Sequence, residues 1–216
     1  MADNSKETVI LLHGYFRTKK DMYSLSNYLT SHGYCVYSVT LPTTTQPLET
    51  CCSLFEEYLD DLKLDGNTVH MVGHSMGGLI IRLLLQRGTF SFQGRSVLIA
   101  TPNQGWKLAD IAMKLFFPIS YIFKGLASIS SKNIRQNTLL KNDSNKYGII
   151  AGNKNSPITN YFLPGENDGR VELDSVKLPT MADFLILPFD HNDIHHQINT
   201  HEAVLNFLQT GLFLKN

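Results

Sequence analysis

Six short runs in this chain are apolar nearly throughout: TVILLHG, YCVYSVTLP, TVHMVG, SVLIATP, YGIIAG and ADFLILPF. A strand with one wet face alternates apolar and polar residues, whereas a strand covered on both faces does not. Between the runs lie segments with apolar residues at helical spacing. Met22, Leu25, Tyr28 and Leu29 precede a stop at Gly33, and Leu48, Cys52, Phe55, Leu59 and Leu62 share a second helical face. GGLIIRLLLQRG and NTHEAVLNFLQTG carry two further helices. This alternation predicts an α/β fold, with a mostly parallel sheet of about six strands and helices on both sides. At 216 residues the chain suits one domain, 1–216, with its own core. Residues 105–145 separate the fourth and fifth strands by more than a usual connection, so a helical insertion is expected there.

Composition narrows the function. Hydrophobic residues make up 43% and charged residues 18%, which is ordinary for a folded chain. Lys plus Arg and Asp plus Glu are equal at 19 each, so no net field recruits nucleic acid or an anionic membrane. The start, MADNSKETVILLHG, lacks the basic and long apolar regions of a signal peptide. Lys114, Pro118, Lys124 and Gly125 interrupt IAMKLFFPISYIFKGLASI, so no transmembrane helix is expected. Cys35, Cys51 and Cys52 offer neither a disulfide framework nor zinc spacing, which favours reduced thiols and a cytoplasmic setting.

Ligands of such sheets bind beyond the carboxyl ends of the strands. After the third strand comes Gly73-His74-Ser75-Met76-Gly77, a G-x-S-x-G motif between a strand and a helix. In that context it reads as a nucleophile elbow, with Gly73 and Gly77 relieving crowding around a strained serine. A serine hydroxyl needs a base, and the base needs an orienting acid. The chain order of this arrangement is serine, acid, histidine, which removes His13, His32, His70 and His74. Of the later histidines, His191 sits where the last strand ends. His195 is its main rival, His196 suits solvent or packing, and His201 suits a surface or capping role. Glu166, Asp168, Glu172 and Asp174 are the acids in LPGENDGRVELDSVKL, and position alone gives Asp168 little advantage over an ordinary turn aspartate. An oxyanion hole needs two backbone donors, here Met76 and Tyr15, with Phe16 as the alternative to Tyr15.

VILLHG, VGHSMGG, TPNQG, NDGRV and LPFDH occur in an order that resembles α/β-hydrolase fold serine esterases and lipases. The branch is the lipase-like one, similar to bacterial triacylglycerol lipases and GPI inositol-deacylase-like proteins. The resemblance implies Ser75 as nucleophile, Asp168 as acid and His191 as base, in a minimal α/β-hydrolase fold. It implies cleavage of a small-molecule or lipid carboxylic ester through an acyl-enzyme, with no cofactor and no metal. Phe16, Phe116 and Phe117 are candidates for the substrate pocket. The apolar segment holding the last two reads equally as a lid, as an acyl-pocket wall or as core helices. A peripheral membrane contact is a weaker reading of it. The same machinery would serve an acyltransferase or a thioesterase. An idle hydrolase fold used for binding fits less well, because the whole residue set is present.

Overall fold

The computed structural model describes residues 7–64, 68–90, 93–115, 123–137, 140, 146–155, 157–163 and 165–214. Six strands form one sheet: β1 Thr8–Leu12, β2 Cys35–Val39, β3 Val69–His74, β4 Ser96–Ile99, β5 Tyr147–Gly152 and β6 Asp183–Leu187. Their order is β2-β1-β3-β4-β5-β6, and every neighbouring pair is parallel. The register sets Leu12 beside Gly73, His74 beside Ile99, and Gly152 beside Leu187. The carboxyl ends of the inner strands therefore lie together along one rim of the sheet.

Consecutive strand residues face opposite sides, and here both sides are covered. On one side Ile10, Leu12, Met71, Leu98 and Ile149 pack in a core with α2 (Leu48–Leu62) and α3 (Met76–Arg87). On the other, Val9, Leu11, Val72, Val97 and Ile150 pack with α1 (Tyr23–Ser31) and α9 (Ile198–Thr210). This is why the runs lack alternation. The first helical segment departs from the expected uniform helix, since Lys19–Met22 form a tighter 3-10 turn before α1 begins.

Between β4 and β5 the chain forms α4 (Lys107–Leu115), α5 (Lys124–Ser128) and α6 (Ser131–Gln136). The Trp106 N–H donates to the Ile129 carbonyl at 2.9 Å, and the Ser131 N–H to the Asp110 carboxylate at 2.9 Å. Ile129, Ile134 and Leu140 are buried in the core beside α2 and α3. The described part of this segment thus contributes to the core. Phe116 and Phe117 lie outside the described residues. Arg82 of α3 is fully buried and donates to Asn103, through its carbonyl and side-chain oxygens, and to the Leu140 carbonyl. Two short helices, α7 (Pro157–Phe162) and α8 (Leu173–Val176), flank the loop between β5 and β6. No described helix is long and apolar enough to cross a membrane.

Candidate active site

Ser75 sits between β3 and α3 with φ 53° and ψ −122°, a conformation that costs a non-glycine residue about 1–3 kcal/mol. Neighbours hold it there. Its N–H donates to the Ile99 carbonyl at 2.9 Å, and its carbonyl accepts from the Gly78 N–H at 3.0 Å. The flanking glycines are required by space rather than by φ. A Cβ on Gly73 would fall 2.5 Å from the Gly78 nitrogen, and one on Gly77 would fall 2.5 Å from the Leu12 carbonyl oxygen. The turn is pressed between the start of α3 and the end of β1.

Three of the side chains singled out from the sequence meet here. His191 Nε2 is 3.1 Å from Ser75 Oγ, and His191 Nδ1 is 2.7 Å from Asp168 Oδ2. The carboxylate leaves Nδ1 as the donor, so Nε2 is free to accept the serine hydroxyl proton; the tautomer is assigned from these partners. Asp168 is 1% exposed. Its Oδ1 accepts the N–H groups of Arg170 (3.0 Å) and Val171 (2.7 Å), which leaves Oδ2 for the imidazole. The His191 N–H also donates to the Asp168 carbonyl at 2.8 Å, so the two loops are joined by backbone as well as side chain. Such a chain can move a proton from a hydroxyl to an imidazole while a buried carboxylate stabilises the resulting charge.

The other candidates lie elsewhere. Asp174 is exposed and pairs with Lys177, and Glu172 pairs with Lys107. His195 is fully buried but faces Asp21 at 3.0 Å rather than Ser75. His201 is not a surface residue: it is 5% exposed, and its Nε2 donates to the His195 carbonyl at 3.0 Å.

The rim opposite is the turn after β1. His13 Nδ1 donates to the Gly14 carbonyl at 2.8 Å, while Nε2 accepts the Leu41 N–H at 3.0 Å. Burial pushes the His13 pKa down, which keeps that acceptor neutral. Thr43 Oγ1 also donates to the Gly14 carbonyl at 3.1 Å. Neither the Tyr15 nor the Met76 backbone N–H donates to a described residue, and Met76 opens α3, whose dipole is positive at that end. Above Ser75 lies a narrow cleft walled by Tyr15, Arg17, Trp106, Arg170 and Asn192. Trp106 Nε1 donates to the Arg170 carbonyl at 2.7 Å, and Arg17 donates to Asn192 Oδ1 at 3.1 Å. Phe16 is not part of this wall; it is 68% exposed beside Tyr15.

Sequence reasoning missed these four wall residues beyond Tyr15, and it missed Asn167. That side chain is fully buried; it donates to the Leu163 and Gly165 carbonyls and accepts the Gly169 N–H at 2.9 Å. Its signal was the Asn-Asp-Gly run, a turn-forming sequence in which asparagine bonds the backbone two residues on.

Sheet, elbow and strand-end site together define a class. The chain belongs to the alpha/beta hydrolase family, whose sequence model matches residues 9–150. Among solved structures it is similar to the mature form of the Bacillus licheniformis lipase BlEst2, at 20% identity and a TM-score of 0.78, over 96% of this chain and 92% of that one. The propeptide form of that lipase aligns at 20% identity and a TM-score of 0.79, over 99% of this chain but only 52% of its own. The Bacillus subtilis carboxylesterase CesB aligns at 15% identity and a TM-score of 0.60, over 96% of this chain and 85% of that one. At these identities the likeness concerns the fold. No curated protein matches the sequence.

Proposed function

We propose that this protein is a serine hydrolase that cleaves carboxylic esters through Ser75, His191 and Asp168. The observation that carries this reading is the unbroken chain from Ser75 Oγ to His191 (3.1 Å) to the buried Asp168 carboxylate (2.7 Å). The lipases and carboxylesterase of similar fold support the same substrate class.

Ser75 Oγ attacks the ester carbonyl carbon while His191 Nε2 takes its proton. The carbonyl oxygen becomes an oxyanion, received by the N–H groups of Tyr15 and Met76; one such donor is typically worth about 3 kcal/mol. Collapse breaks the bond to the alcohol, which leaves with the proton from His191. Water then attacks the acyl-enzyme through the same base, releasing the acid and restoring the serine. Asp168 holds the imidazole tautomer and stabilises its positive charge without taking the proton. The segment 105–145 is read as an insertion that brings Trp106 to the cleft. A cytosolic setting is supported by the three free thiols.

Hydrolysis of p-nitrophenyl esters from acetate to palmitate tests this, with Ser75→Ala and His191→Ala alongside. Turnover lost in both variants supports the reading. Turnover that survives Ser75→Ala, or wild-type protein that neither turns over esters nor reacts with a fluorophosphonate, would sink it.

A further inference from the structure

A second cluster lies beside His74, whose ring stacks on that of His195. Asp21 comes from the 3-10 turn Lys19–Met22 that follows β1, and His195 and His196 come from the 3-10 turn Ile194–His196 that follows β6. His195 Nε2 is 3.0 Å from Asp21 Oδ2, and His196 Nε2 is 3.7 Å from Asp21 Oδ1. One ligand atom from each residue lies within 4.8 Å of the other two. We propose that Asp21, His195 and His196 form a binding site for a divalent transition-metal ion of the zinc class, which ties the turn after β1 to the loop carrying His191.

The distances fit. Zinc bonds of about 2.0–2.1 Å place tetrahedral ligand atoms roughly 3.3 Å apart. The 3.0 Å pair would open slightly and the 3.7 Å pair would close, and His196, whose side chain is 38% exposed, can swing to bring its Nε2 in. The donor set of two imidazoles and one carboxylate suits zinc and its first-row neighbours rather than calcium or magnesium, which prefer oxygen.

The surroundings are those of a held site. The His195 side chain is fully buried, with its ring stacked on His74 at 3.9 Å and 21°, so Nε2 is fixed toward Asp21. Ser24 Oγ is 3.2 Å from His196 Nδ1, the outer-shell contact that orients a ligating imidazole. Exposed His196 leaves an entry path and room for a water as fourth ligand. The one cation facing the cluster among the described residues is Arg17, whose Nε is 3.8 Å from Asp21 Oδ1. It is also bonded to Asn192, so it has somewhere else to rest.

The role implied is structural. The ion would not touch Ser75; it would brace the loop in which His191 precedes His195 by four residues.

The test is titration of chelator-treated protein with Zn2+ by calorimetry, with thermal melting alongside and Co2+ absorption as a probe of geometry. The proposal expects one equivalent of Zn2+ bound and a raised Tm. It also expects a Co2+ band of tetrahedral type, with binding retained but weakened about tenfold in Ser24→Ala. His196→Ala, exposed enough to fold normally, should lose more affinity than the roughly 10–100-fold that removal of an outer-shell partner costs. Its metal-free Tm, compared with wild type, checks that the loss is not misfolding. No saturable binding of Zn2+ or Co2+, or equal affinity in wild type and His196→Ala, would overturn the site and leave the cluster as an ion pair only.

Discussion

His74 Nε2 lies 3.0 Å from the carbonyl oxygen of His191, across 117 residues of chain. The residue next to the proposed nucleophile therefore donates a hydrogen bond to the backbone of the proposed base. One buried contact thus ties the strand that leads into Ser75 to the loop that carries His191. Removing a single hydrogen bond costs about 1 kcal/mol, or roughly fivefold in rate. His74→Leu, which keeps most of the volume and removes the donor, should lower kcat for ester hydrolysis about five- to tenfold. KM should stay where it is. A change confined to KM would show that His74 shapes substrate binding instead.

Asp168 is the more severe case. Replacing it with Asn keeps the size but offers the imidazole an amide, so the tautomer with Nε2 as acceptor is no longer enforced. A loss of about ten-thousandfold in kcat is expected, with the fold intact by circular dichroism. Fluorophosphonate labelling of Ser75 should slow in parallel. Labelling at the wild-type rate would mean that Asp168 only packs.

Two glycines separate crowding from backbone strain. Gly77→Ala places a methyl group 2.5 Å from the Leu12 carbonyl, in a region with nothing flexible to yield. It should cost about 1–3 kcal/mol of stability and disturb the elbow, so activity falls with it. Gly33→Ala has nothing within 4 Å but a φ of +94°, so its cost is the left-handed backbone alone. Urea unfolding should show both variants destabilised, while only Gly77→Ala loses kcat. Full activity in Gly77→Ala would refute the link between that contact and the serine.

What could be read from the sequence divides along physical lines. The strands could be read because covering both faces removes alternation, and that is a local signal. Ser75 could be read because its turn demands glycines at fixed offsets. His191 stood out by place, just beyond the end of β6, whereas Asp168, in the loop after β5, was separated from the neighbouring acids by the family resemblance. The environment of His195 was not legible. Its partner Asp21 is 174 residues away, and no local pattern encodes such a contact. The same holds for Arg82, a buried arginine of α3 whose partners, Asn103 and Leu140, lie 21 and 58 residues away. No local pattern aims Trp106 at the cleft either; its indole N–H donates to the Arg170 carbonyl there, 64 residues along the chain.

The cysteines should be quiet. Burial pushes the Cys51 thiol up to about 11 and the Cys52 thiol up to about 12. Iodoacetamide at pH 8 should therefore leave both unmodified in the folded protein, with Cys35 the only half-buried thiol left to react. Mass spectrometry that finds Cys51 or Cys52 alkylated as fast as in urea would contradict this burial.

Acid should unfold the protein by way of its interior histidines. Burial is the main cause of lowered pKa values at His13, His70, His74 and His201, opposed in part at His70 by Glu7 at 3.2 Å. In the unfolded chain each returns to about 6.5. Below that pH the unfolded state takes up protons that the folded state refuses, so stability falls as pH falls. Above about pH 6.5 both states are neutral at these sites and the contribution is fully present. The urea midpoint should thus be flat from pH 8 to 7 and decline from about 6.5 toward 5. His70→Gln, which cannot titrate, should make that decline shallower. A midpoint that holds steady or rises between pH 7 and 5 would mean the histidines are charged inside the fold, contrary to their burial.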